Sequence, residues 1–156
     1  MTQRAHTKFV ICHREEVDCW AQEYNVRVAR DGTVEVSEIF GLDGKGAHSI
    51  VFNSVSVGVC FEGCFAQGIP AKNAHPTTAQ WAAGVKLVAE LVHRYGLDPL
   101  SAVKGHTEMG PTATDDAQKL QTSPVDYSCP GLNFPMDKLR EDVSKALTGV
   151  QLSSAV

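Results

Sequence analysis

Three side chains of metal-ligating type stand out by their settings: His13, His106 and Cys129. His13 closes the apolar segment Phe9-Val10-Ile11-Cys12-His13, His106 follows Lys104-Gly105, and Cys129 precedes Pro130-Gly131. Each sits at the end of an expected element, where side chains converge on a cleft, and the Pro-Gly pair gives the thiolate a rigid turn. A hydrolytic zinc site needs three protein ligands of N, S or O type and an open fourth position. The chain has no His-Glu-x-x-His segment, so such a site must be assembled from separate elements. Residue types alone leave the set open, because a lone strand histidine is more often a hydrogen-bonded core residue.

The five cysteines are Cys12, Cys19, Cys60, Cys64 and Cys129. In a reducing compartment the default is free thiols, mostly buried as small hydrophobes. Cys60 and Cys64 lack the second pair that a structural zinc site would use. A thiol hydrolase is a competing reading. Cys12 and His13 are strand neighbours whose side chains point to opposite faces, so only Cys129 with His106 would serve it. His6, His75 and His93 carry no signal of this kind.

The elements that must position these groups are readable from periodicity. Residues 8–13 form a buried strand, with Phe9, Ile11 and His13 on one face. Residues 23–37 form a hairpin around Asp31-Gly32. A Gly-rich irregular stretch covers 39–53, and the β-branched run 54–61 is a central strand. Thr77 and Gln80 have capping-box spacing at the start of a helix over 77–95, which Gly96 closes. A short strand over 101–105 leads into irregular residues 107–128, with one helical turn near 114–120. Pro135 opens the last helix. The order predicts an α/β fold of one domain, a central mixed β-sheet flanked by helices, over 1–149, with a flexible tail at 150–156.

The 156 residues carry 14 Lys+Arg against 18 Asp+Glu, a net charge of −4 without charge blocks. No basic stripe exists for nucleic acid, so no such partner is expected. No apolar run reaches the length of a membrane span, and none is expected. The polar start Met1-Thr2-Gln3-Arg4-Ala5-His6 lacks a signal-peptide core, so synthesis in a cytosol is expected.

Six segments occur in a telling order: Phe9-Val10-Ile11-Cys12-His13, Tyr24-Asn25-Val26-Arg27-Val28 with Arg30-Asp31-Gly32-Thr33-Val34, Gly46-Ala47-His48, Asn53 through Gly63, Lys104-Gly105-His106 and Ser128-Cys129-Pro130-Gly131. The ordered set, over roughly residues 8–145, resembles the zinc N-acetylmuramoyl-L-alanine amidases of the phage-lysozyme type. Peptidoglycan recognition proteins and muropeptide amidases share that fold. The resemblance implies Zn²⁺ on His13, His106 and Cys129, Glu62 as catalytic base, and Tyr24 as a water-orienting or transition-state donor. It implies substrate contacts at His48, Asn53 and Tyr127, although Asn53 beside Ser56 equally suits tying a loop to the strand.

The implied substrate is peptidoglycan or a muropeptide, cut by a monomeric phage endolysin that acts on the wall after release. A cytosolic recycling amidase and a non-catalytic peptidoglycan-binding protein are the alternatives. Three departures accompany the resemblance. The link from His13 to Tyr24 is too short for the helix relatives place there. The stretch between His106 and Cys129 is long, suiting a lid or substrate wall. Tyr127 stands where relatives often have Lys or Thr, so Tyr127 or Lys119 would stabilise the oxyanion.

Overall fold

The computed structural model describes residues 7–15, 23–68, 72–113, 126 and 128–154. Strand β1 (Phe9–Glu15) is a run of Phe, Val, Ile and Cys, the composition of a strand covered on both faces. It lies between β4 (Ser56–Glu62) and β5 (Val103–Gly105), parallel to both. Strand β2 (Val26–Val28) runs parallel to β4, and β3 (Val34–Val36) pairs antiparallel with β2 at the exposed edge. The five-stranded mixed sheet has the order β3-β2-β4-β1-β5. The expected hairpin is present: Ala29 N donates to Thr33 O at 2.8 Å, and Asp31 Oδ1 accepts from Thr33 N at 2.9 Å.

Register decides what each face carries. Ile11 pairs with Gly58, His13 with Cys60 and Glu15 with Glu62, so these side chains share one face. Val10, Cys12, Val57, Val59 and Phe61 occupy the other. There they pack against Leu87, Val88, Leu91 and Val92 of α1 (Thr78–Tyr95) and Leu139 and Val143 of α3 (Met136–Ser154). The short helix α2 (Pro99–Ala102), capped by Asp98, delivers the chain into β5.

The N-terminus of α1 is fixed as its spacing predicts. Thr77 Oγ1 accepts from Gln80 N at 3.0 Å, and Gln80 Oε1 accepts from Thr77 N at 3.4 Å. The fully buried Gln80 amide also donates to Val28 O at 3.1 Å and Glu62 O at 2.9 Å, pinning the helix to the ends of β2 and β4. Gly96 terminates α1 in the left-handed conformation.

The structure extends the sequence expectations in three places. Strand β1 continues past His13 to Glu15. The backbone of α3 is helical to Ser154, past the 149 boundary. Within 107–128, 3₁₀ turns occupy His106–Met109 and Pro111–Ala113, while the turn expected near 114–120 lies outside the described residues. Among the described residues no helix is long and apolar enough to cross a membrane.

Thr77→Ala removes the acceptor for Gln80 N. Urea unfolding is expected to show a loss of about 1–2 kcal/mol with an unchanged m-value.

Candidate active site

His13 is buried near the end of β1, on the sheet face away from the helices. The pairing of Cys12 with Gly105 carries the residue after β5 alongside it, and the His13 and His106 rings lie 4.5 Å apart. Cys129 arrives on a turn clipped to the same place. Thr107 N donates to Cys129 O at 3.0 Å, and Cys129 N donates to Thr107 Oγ1 at 2.7 Å. Gly131 follows, where a Cβ would meet Phe65 O at 2.3 Å, so the turn closes only with glycine. Cys129 Sγ stands 3.9 Å from His13 Nδ1.

One ligand atom from each of His13, His106 and Cys129 falls within 4.8 Å of the others, so the structure brings the three expected ligands together. Zinc bonds of 2.0–2.3 Å in tetrahedral geometry place ligand atoms about 3.3–3.6 Å apart, a contraction of about 1.5 Å at most. Protonation also suits a metal. Burial, then the neighbouring His48 and His106, hold the His13 pKa well below the usual histidine range, so the imidazole is in its neutral, ligating form. His106 Nε2 lies 2.6 Å from Ala113 O. A carbonyl only accepts, so Nε2 carries the proton and Nδ1 the lone pair. Metal-binding histidines make outer contacts of this kind. The donor set fits zinc.

A second layer stiffens the β5 side. Glu108 Oε1 accepts from Gly105 N at 2.8 Å. Arg140 of α3 grips both oxygens of that carboxylate, at 2.9 and 3.1 Å.

Tyr24 is buried with its ring 5.1 Å from the His13 ring. Its hydroxyl donates to Glu15 Oε2 at 2.7 Å. Burial, more than its neighbours, pushes the phenol pKa up, so it stays protonated. Glu15 was missed by sequence reasoning. Its signal was alternation: two residues past His13 on a strand means the same face, but the expected strand ended at His13.

Glu62, the expected base, shares this face. Its Oε2 accepts from Arg27 Nη2 at 2.6 Å and from Arg30 N at 3.3 Å. Opposite His13 in the register stands Cys60, not Glu62. Burial raises the Cys60 and Cys12 pKa values far enough to keep both as thiols. Cys12 also faces the helices, as the alternation required.

His48, expected to contact substrate, is only 5 % exposed and turns its Nδ1 to His13 Nε2, at 2.9 Å. Asn53 Oδ1 accepts from the backbone N–H of both His48 and Ser49 at 2.8 Å, tying the loop. Tyr127 lies outside the described residues.

A family model described as N-acetylmuramoyl-L-alanine amidase matches residues 2–131. No curated protein sequence matches the chain. Among solved structures, the chain is similar to the endolysin N-acetylmuramoyl-L-alanine amidase LysCS from Clostridium intestinale URNW. The TM-score is 0.67 at 17 % identity, covering 90 % of this chain and 86 % of that one. An AmpD derivative gives 0.60 at 15 % identity, covering 89 % and 86 %. Peptidoglycan recognition protein-LE, solved with tracheal cytotoxin (a monomeric diaminopimelic acid-type peptidoglycan), gives 0.54 at 20 % identity, covering 76 % and 81 %. At these identities the likeness is one of fold.

The geometry yields a direct measurement. Metal-free protein is expected to take up one zinc per chain, and Cys129→Ser to bind it more than about 100-fold more weakly, beyond the usual cost of losing an outer-shell partner. Competition with a chromophoric chelator reads both affinities.

Proposed function

The chain belongs to the N-acetylmuramoyl-L-alanine amidase family, and on that premise we propose that it is a zinc-dependent hydrolase of the amide joining the muramic-acid lactyl group to L-alanine in peptidoglycan. The observation that carries this reading is the convergence of His13, His106 and Cys129 from three separate segments. An amide is resonance-stabilised and its nitrogen leaves badly, so its hydrolysis needs both an activated carbonyl and an activated water. Zinc held by two neutral imidazoles and one thiolate supplies the Lewis acidity for both.

The remaining tasks fall to this chain's own side chains. Tyr24 packs against His13, and its proton is committed to Glu15. Its oxygen is thereby a fixed acceptor that orients water beside the cluster. Two carboxylates on the face compete for the base role. Glu62 is engaged by the Arg27 guanidinium and Glu15 by the Tyr24 hydroxyl. The neighbourhood of Tyr24 and His13 favours Glu15, and Glu62 then serves to hold Arg27 across β2 and β4.

Peptidoglycan as the substrate class is supported by the family match and by the muropeptide held in the similar recognition protein. Within that class we assign the chain to lysis, as a phage endolysin, in line with its likeness to the endolysin LysCS. A pure binding protein would have no use for the thiolate ligand that Cys129 offers.

The test is cleavage of purified muropeptides, read as new L-alanine amino ends. Chelation is expected to abolish it and zinc to restore it; turnover that survives chelation would point instead to a thiol hydrolase. Clearing of permeabilised cells at rates matching their peptidoglycan cleavage supports lysis, whereas cleavage confined to small soluble muropeptides assigns recycling.

Glu15→Gln and Tyr24→Phe are expected to keep zinc and lower kcat by about 10²–10⁴. Glu62→Gln is expected to keep kcat within about tenfold and to lose about 1–3 kcal/mol of stability, because Arg27 forfeits a charged hydrogen bond. The opposite pattern, with Glu62→Gln zinc-loaded and inactive, returns the base role to Glu62.

A further inference from the structure

We propose that His48 is a positioning residue: through a one-way chain of hydrogen bonds ending on the Phe52 carbonyl, it fixes His13 in the tautomer whose Nδ1 is free to ligate metal. The inference rests on the zinc reading above and gives His48 a role distinct from the substrate contact expected of it. The argument starts at the far end of the chain. Ser56 Oγ donates to Phe52 O at 2.7 Å, and a carbonyl has no proton to return. The single hydroxyl proton of Ser56 is therefore committed, so its oxygen meets His48 Nε2, 3.4 Å away, as an acceptor. His48 Nε2 carries the proton of that contact.

A neutral imidazole has one N–H, and in His48 the contact with Ser56 places it on Nε2. Its Nδ1 is then a bare acceptor. His13 Nε2, 2.9 Å away, must donate to it. The His13 proton is thus on Nε2, and its lone pair is on Nδ1, the atom 3.9 Å from Cys129 Sγ. Donation runs His13 to His48 to Ser56 to Phe52, and between neutral rings its reversal would set Ser56 Oγ and Phe52 O against each other as two acceptors.

The surrounding backbone is shaped to hold this ring. A Cβ on Gly58 would lie 2.5 Å from His48 Cγ and Cδ2, and one on Gly46 would lie 2.9 Å from Cδ2. Those two glycines let the imidazole lie flat against β4. Asn53 Oδ1 holds the His48 backbone N–H at 2.8 Å, setting where the ring enters. The outcome is an outer-shell partner for His13 equivalent to the one Ala113 O provides for His106. Both histidines offer Nδ1 because both have their Nε2 proton engaged from behind.

Long-range ¹H–¹⁵N spectra of the metal-free wild-type protein test the assignment without any activity or metal. His13 is expected as the Nε2–H tautomer, and an Nδ1–H signature for His13 overturns the proposal. His48→Phe keeps the ring volume but removes both nitrogens, and His48→Gln restores one acceptor towards His13. The Phe variant is expected to mix the His13 tautomers and to weaken zinc binding by about 10–100-fold, and the Gln variant to recover most of it. Ser56→Ala, a smaller change, is expected to loosen the tautomer preference even where the Phe variant folds poorly. Tight zinc binding by wild type with equal affinity in His48→Phe sinks this inference alone. No zinc binding by wild type sinks the metal reading, while the tautomer remains measurable.

Discussion

The parallel pairing of β1 with β5 is the constraint on which the ligand cluster depends. His13 and His106 are far apart in sequence, and neither belongs to a local motif. They meet because Cys12 is in register with Gly105, so the chain leaving β5 emerges beside the His13 side chain. A shift of one residue in β1 would exchange its faces, sending His13 into the helices and Cys12 into the cleft. What prevents that slip is the hydrophobic face. Val10 and Cys12 sit among Val57, Val59, Leu91 and Leu139, a buried apolar layer in which an imidazole would be desolvated. The core therefore selects the register, and the register builds the site.

On the opposite face the difficulty is polar. Ile11, His13 and Gly58 lie beneath the residues that connect β3 to β4, and buried polar groups there cost free energy unless each is bonded. Asn25 does most of that bonding. Its Nδ2 donates to Gly41 O and Gly44 O at 2.8 Å each, and its Oδ1 accepts from Gly58 N at 2.9 Å. Asn53 repeats the device one loop further on. A buried amide, Asn25, and a half-buried one, Asn53, thus brace a Gly-rich segment whose regular structure is the 3₁₀ turn Asn53–Val55. Ala113 O joins the arrangement from the other side, accepting from Ile50 N at 3.1 Å as well as from His106. The loop behind His13 is thereby tied to the carbonyl behind His106.

Short-range pattern explains which parts of this were legible in the sequence. The capping box at Thr77 and Gln80, the Gly96 stop and the Asp31-Gly32 turn each depend on a few consecutive residues, and each is where the spacing put it. The three candidate metal ligands were legible only as an ordered set of segments, since nothing in the type of His13 or Cys129 alone separates a ligand from a core residue. Long-range contacts were not legible. That Glu62 meets Arg27 depends on how β2 and β4 align, and that Glu15 meets Tyr24 depends on β1 running two residues further than its apolar stretch. His48 read as a substrate-contact residue because the resemblance implied it. Gly58 and Gly46 carried the contrary signal, since two glycines facing one ring mark a close approach, but only the fold shows that they face it.

Glycine and thiol placement together indicate how the chain keeps reactive groups apart. Of the four cysteines described, Cys12, Cys60 and Cys64 are buried, with desolvation holding Cys12 and Cys60 as thiols, while Cys129 is the partly exposed one, placed beside two imidazoles. A thiolate is a metal ligand and a nucleophile in the same form, so a chain with several cysteines must decide which one can ionise. Burial makes that decision for Cys12 and Cys60 without any charged partner. For Cys129 the turn before Gly131, clipped to Thr107, presents the sulfur to His13 Nδ1. The fold thus leaves the Cys129 sulfur open to the cleft end of β1 beside two imidazoles, while Cys12 and Cys60 stay buried as thiols.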